Sequence, residues 1–205
     1  MNIGAGRVVM QDLPRIDAAI AQGSFPDNAA LRATIEALQR TGGAAHILGL
    51  CSDGGVHAHV DHIAALAESF ARAGVAVWLH LFLDGRDVPP KSALTYLARM
   101  EEKIASSAGV RIATVGGRYY AMDRDKRYER VEKAYRALVQ AQGERFATPR
   151  LAVEESYAAG VTDEFLLPSV MPGYPGMAAA DGLVMANFRA DRARQLLHAL
   201  CDPEF

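Results

Sequence analysis

Four short apolar runs, each ending in a polar loop and each followed by an amphipathic stretch of helical length, constrain this chain more than any other feature. His46 to Leu50 leads into Ser52-Asp53-Gly54-Gly55-Val56-His57. Val75 to Leu83 leads into Asp84-Gly85-Arg86-Asp87. Arg111 to Val115 leads into Gly116-Gly117-Arg118, with Arg124 just beyond, and Leu183 to Phe188 leads into Arg189 and Arg192. Strand-length runs that alternate with helical patterns require parallel strands joined by crossover helices. The expected fold class is α/β: a mostly parallel central sheet flanked by helices on both faces, three layers in a single domain.

The helices have their own signals. Leu13 to Ala21 reads as a short helix stopped by Gly23. Asp27 or Asn28 caps a helix to Arg40, with Leu31, Ile35 and Leu38 on one face and Gly42 past its end. After the first strand a helix is expected from near His57 to before Gly74. Pro89-Pro90 introduces another, from about Lys91 to Ser106. Asp125 is expected to cap a helix to about Gln140, with Tyr128, Val131, Tyr135 and Leu138 as its apolar stripe. Thr148-Pro149 opens a helix that Gly160 closes. Residues 161–180 read as loop with one short element, and Asp191 to Leu200 as the last helix.

In open α/β sheets, ligands bind outside the carboxyl ends of the strands. Parallel strands would therefore bring His57, Arg86, Asp87, Arg118, Arg124, Arg189 and Arg192 to one edge. Gly54 and Gly55 let backbone approach a ligand, and a helix N-terminus beyond them offers N–H groups to an anion. His57, expected in that first turn, would be kept neutral by the helix dipole and could accept a proton. Arginine grips phosphate or carboxylate through a planar fork, and Asp87 can take or return a hydroxyl proton. Arg189 and Arg192, spaced i, i+3, share a helical face, whereas Arg194 points to solvent. The set suits a small, doubly anionic ligand such as a phosphorylated acid.

The net charge of −2 supplies no global basic field, so no nucleic-acid partner is expected. No apolar run approaches the ~20 residues of a membrane span, and the N-terminus has no secretory pattern. Cys51 and Cys201 make no disulfide framework; a cytoplasmic location fits, with Cys51 a small buried thiol.

His57-Ala58-His59-Val60-Asp61-His62 spells H-x-H-x-D-H, the pattern with which metallo-β-lactamase-like hydrolases hold zinc. On a helix beginning at His57, His62 falls at i+5, so the three imidazoles cannot share a face. His59 and His62 are then helix-surface or packing residues, and the zinc hydrolase stands as a lesser alternative. A stand-alone module that binds a phosphorylated metabolite is another alternative, requiring the same arginines.

Five segments together resemble the cofactor-independent (2,3-bisphosphoglycerate-independent) phosphoglycerate mutases. They are Asn2-Ile3-Gly4-Ala5-Gly6-Arg7 to Gln11-Asp12-Leu13, Ser52 to His59, Phe82 to Asp87, Gly116 to Asp125, and Asn187 to Arg192. The resemblance implies the phosphotransferase domain of an isomerase that interconverts 2-phosphoglycerate and 3-phosphoglycerate in glycolysis and gluconeogenesis. It implies that His57, Arg86, Asp87, Arg118, Arg124, Arg189 and Arg192 contact substrate, with Asp87 and His57 catalytic. It also implies a second, phosphatase-like domain, carrying a phosphorylated serine and two divalent metal ions, usually manganese. Neither that serine segment nor its metal-binding clusters is in this chain, so no metal or other cofactor is expected here and the isolated chain is expected to be inactive. Residues 1–12 then read as a lead-in hinge, 13–199 as the phosphotransferase domain, and 200–205 as the start of a return linker.

Overall fold

The computed structural model describes residues 10–202. Of the expected segments 1–12 and 200–205, residues 1–9 and 203–205 lie outside the described residues, while Asp12 already opens the first helix and Leu200 and Cys201 close the last. Six strands form one sheet: β1 (Ala45–Leu50), β2 (Val77–Leu83), β3 (Val110–Gly117), β4 (Glu144–Arg145), β5 (Ser169–Val170) and β6 (Gly182–Met185). Their order is β4-β5-β3-β2-β1-β6. β1 pairs in parallel with both β2 and β6, β2 with β3, and only β5 runs antiparallel to its neighbour β3. The α/β expectation therefore holds, and the antiparallel edge makes the sheet mostly rather than wholly parallel.

Eight α-helices accompany the sheet among the described residues: α1 (Asp12–Ala21), α2 (Ala29–Thr41), α3 (Val60–Arg72), α4 (Ala93–Ile104), α5 (Arg118–Ala121), α6 (Tyr128–Gln140), α7 (Pro149–Ala158) and α8 (Arg194–Cys201). Strand side chains alternate between faces. Ala45 and Ile47 of β1, with Val77, Leu79, Leu81 and Leu83 of β2, pack with α2, α3, α4 and α7. Leu48, Leu50 and Phe82 pack with α5, α6 and α8 on the opposite face. β1 is buried along its whole length, as a strand covered on both faces must be.

The caps follow the sequence in two places. The Asn28 side chain accepts from the N–H groups of Ala30 and Leu31, and Thr148 accepts from Leu151. Elsewhere the structure departs from expectation. The helix after β1 starts at Val60, not near His57, because the His59 side chain supplies the cap by accepting from Asp61 N–H. His57 therefore sits in a loop, outside the first helical turn. α6 begins at Tyr128 without a side-chain cap from Asp125; instead Asp123 accepts from the N–H groups of Asp125 and Arg127 and shapes the loop before it. Val131, Ala134, Ala137 and Leu138 form its buried face, with Tyr128 exposed. β6 stops at Met185, since Asn187 Oδ1 rather than a backbone carbonyl accepts from Leu50 N–H. The last helical segment is split, a 3-10 turn at Ala190–Arg192 preceding α8. Residues 161–180 contain both a 3-10 turn, Asp163–Phe165, and the short β5.

A polar seam crosses the sheet on the α6 side. Asp181 Oδ2 lies 3.0 Å from His46 Nε2, His46 Nδ1 lies 2.9 Å from His80 Nε2, and His80 Nδ1 lies 2.9 Å from Thr114 Oγ1. A carboxylate only accepts, and burial keeps both rings neutral, so the direction of every bond follows: His46 Nε2–H donates to Asp181, His80 Nε2–H to His46, and Thr114 O–H to His80. Among the described residues, no helix is long and apolar enough to cross a membrane.

Candidate functional site

The loops leaving β1, β2, β3 and β6 meet at the carboxyl edge of the sheet, as parallel pairing requires. Asp84 anchors the first three of these loops. It is 2% exposed, accepts from Ser52 Oγ at 2.6 Å, and accepts from the N–H groups of Arg86 and Asp87 at 3.2 and 3.0 Å. Arg118 Nη1 donates to Asp84 Oδ1 and to Asp87 Oδ2, both at 2.6 Å. Burial alone would raise the Asp84 carboxyl, but the bonds from Asp87 N–H, Ser52 and Arg118 prevail and hold it below the usual carboxylate range. Burial likewise opposes the Arg118 charge, yet Asp87 and Asp84 keep it above its ordinary value.

His57 is 3% exposed and lies between two carboxylates: Nε2 is 3.8 Å from Asp87 Oδ2, and Nδ1 is 3.9 Å from Asp191 Oδ1. Its pKa is lowered, first by burial and then by Arg118, against the opposing pull of Asp87. The neutral ring expected from a helix dipole is thus favoured for another reason. Its backbone carbonyl accepts from Phe188 N–H at 2.9 Å, which ties its loop to the arginines after β6.

Arg124 Nη1 lies 2.8 Å from Asp191 Oδ2, and Arg189 Nε lies 3.0 Å from Asp191 Oδ1. Arg192 Nη1 donates to Met122 O at 3.2 Å, so it leans on the loop that carries Arg118 and Arg124. Its pKa is lowered by burial and then by Arg124, Arg118 and Arg86, the signature of cations gathered in one place. Arg86 is further out, with Nη1 3.6 Å from Glu164. Arg194 is exposed, as expected. The structure thus links six of the seven predicted residues through Asp84, Asp191 and Met122, and sets Arg86 at the rim.

Two glycines make this packing possible. A Cβ at Gly117 would stand 2.1 Å from the Glu164 carbonyl oxygen, and one at Gly54 would stand 3.2 Å from Asp87 Cβ. The sequence reading missed Asp84 and Asp191 as members of the cluster. Asp191 stands between Arg189 and Arg192, where the sequence pattern marks only the start of a helix.

The H-x-H-x-D-H residues have separate partners. His57 faces Asp87 and Asp191, His59 caps α3, and His62 Nε2 is 2.7 Å from Asp17 of α1. Among the described residues, no group of three His, Cys, Asp or Glu side chains could hold a metal ion. Cys51 is buried, and burial pushes its thiol up to about 12. A groove of about 860 Å³ lies between α6 and α8, bordered by Val131, Tyr135, Ala199 and Leu200, but none of the seven predicted residues lines it.

The sequence model of the family described as the BPG-independent PGAM N-terminus matches residues 16–205. A 2,3-bisphosphoglycerate-independent phosphoglycerate mutase from Ruegeria sp. (strain TM1040) is 56% identical over 205 residues, covering 100% of this chain and 40% of that protein. The protein of the same name from Rhodopseudomonas palustris is 53% identical, with 100% and 40% covered. A solved structure of Leishmania mexicana phosphoglycerate mutase, crystallised at low cobalt concentration, superposes with a TM-score of 0.88 at 29% identity, covering 98% of this chain and 39% of that one. The chain spans about two fifths of the length of these relatives.

Proposed function

The chain belongs to the BPG-independent phosphoglycerate mutase family, and from that premise we propose that it is the substrate-holding phosphotransferase domain of a mutase interconverting 2- and 3-phosphoglycerate. The observation that carries this reading is the convergence of His57, Asp87 and an arginine cluster on one sheet edge. On this reading Arg189, Arg192 and Arg124 take the phosphate, with Arg118 adding its charge, and Arg86 at the rim takes the carboxylate. Asp87, held at Oδ2 by Arg118 and flanked by His57, manages the proton of the glycerate hydroxyl that loses or regains the phosphoryl group. A pure binding module would gain little from a carboxylate beside phosphate, which favours the isomerase reading.

Phosphoryl transfer depends mainly on positioning and charge neutralisation. The described residues supply both, but they do not fit a divalent-metal pair. The surplus here is guanidinium, and Asp84, Asp87 and Asp191 are each committed to arginine. No step assigned to this chain runs through a metal. The serine that carries the phosphoryl group, and the metal ions that usually accompany it, belong on this reading to a phosphatase-like domain of the longer polypeptide. Residues 1–12 and 200–205 would be its hinges and 13–199 the domain between them. The reducing cytoplasm suits the two free cysteines.

Asp87→Asn in the full-length protein tests the acid/base role. Turnover should fall by about 100-fold or more, as loss of a positioned proton-transfer group does, with KM little changed. A raised KM at unchanged kcat would refute the assignment.

A further inference from the structure

Asp191 is the one carboxylate of the cluster that is both bound to the outer arginines and accessible. Asp84 and Asp87 pair with buried Arg118, and their side chains are 1% and 20% exposed. Asp191 is 34% exposed and bridges Arg124 and Arg189, which come from different loops and are themselves about half exposed. Burial would raise its carboxyl, but the Arg124 bond and the Arg189 charge hold it below the usual range. One carboxylate thus spans two guanidinium groups, the geometry in which a phosphate would be held.

A second observation concerns His57. Its Nδ1 is buried and lacks a hydrogen-bond partner, and it faces Asp191 Oδ1 at 3.9 Å, an oxygen that lies 3.0 Å from Arg189 Nε without forming an aligned hydrogen bond to it. That separation is about 1 Å too long for a hydrogen bond and too short to admit a bridging water. A buried imidazole nitrogen without a partner is costly. A modest movement of Asp191 away from its arginines and toward the ring would satisfy Nδ1 and give Oδ1 an aligned donor in place of Arg189.

We infer that Asp191 is an internal stand-in for the ligand's anionic group, which an incoming phosphate displaces from Arg124 and Arg189 onto His57 Nδ1. A dianion outcompetes a single carboxylate for two guanidinium groups, so the exchange is electrostatically downhill. Once Asp191 accepts from Nδ1–H, the tautomer is fixed, and the Nε2 lone pair points to the Asp87 side, where the proton is handled. Ligand capture and orientation of His57 become one event, and Asp191 is a positioning residue. The inference rests on the proposed reading that the arginine cluster takes the ligand's phosphate.

Calorimetric titration of this chain with 3-phosphoglycerate, across four variants, separates the two ideas. Arg189→Ala should weaken binding at least tenfold. Asp191→Asn and Asp191→Ala should tighten it by roughly three- to tenfold, since two partly exposed ion pairs no longer compete. Asp125→Asn, which removes one negative charge from an exposed pair with Arg127, should change affinity less than twofold. In ¹⁵N spectra, ligand should shift His57 Nδ1 to a hydrogen-bonded N–H in the wild type and not in Asp191→Ala. If Arg189→Ala weakens binding but both Asp191 variants bind no tighter than wild type, the stand-in role is wrong and the site reading survives. Equal tightening in Asp125→Asn would reduce the effect to net charge and also overturn the stand-in. Unchanged binding in Arg189→Ala, or no binding by any form, would overturn the site reading and the inference with it.

Discussion

Arg118 follows two glycines in the sequence, and that placement marks it as a cation at a strand end. Its burial could not be read there, because burial depends on Asp84 and Asp87 arriving from another strand. Removing one partner of a buried pair leaves an uncompensated charge behind. Arg118→Ala should therefore destabilise the fold by about 3 kcal/mol or more, read as a lower midpoint in urea. A change of less than ~1 kcal/mol, the range of exposed pairs, would mean that Asp84 finds another partner or water. Asp191 illustrates the opposite limit. Its identity was legible, but its bonds to Arg124 and Arg189 appear only once the loops after β3 and β6 are brought together.

The four apolar runs announced β1, β2, β3 and β6 because each packs apolar side chains along a parallel ladder, β6 only half-buried. β4 and β5 have two residues each, too few for any periodicity, and depend on pairing across the sheet edge. The shift of α3 to Val60 has a similar origin, since His57 and His59 both stand where a cap could form and only packing selects His59. The Asp181–His46–His80–Thr114 seam also belongs to this scale, being a property of three adjacent strands and the β6 approach. His46 and His80 lie below the ordinary histidine value of 6.5, chiefly through burial, which disfavours imidazolium. A histidine whose folded pKa is lowered contributes stability that is complete above the unfolded value and is lost as pH falls through it. Stability should thus decline as pH drops from 7 through 6.5 toward 5, with His57 and His59, also lowered, adding to the slope. His80→Asn should cost roughly 1–3 kcal/mol at pH 7, because His46 and Thr114 lose a partner, and should flatten the decline. Denaturation midpoints at pH 7 and 5.5 decide it; equal slopes in both proteins would contradict the role given to the seam.

At the scale of the molecule, the parallel strands explain why groups from four distant loops meet at one edge, while the α6–α8 groove lies elsewhere and lacks the predicted residues. The chain spans about two fifths of its relatives, and under the proposed function its arginine-rich edge is the surface at which a second domain would deliver or receive a phosphoryl group. The proposed function requires that this edge hold phosphoglycerate. The most direct test is a titration of the ¹⁵N-labelled chain with 3-phosphoglycerate, following backbone and arginine side-chain resonances. Shifts should be confined to residues 52–57, 84–87, 116–124 and 187–192. Shifts centred on the α6–α8 groove, or none at ligand concentrations far above those of the protein, would contradict it.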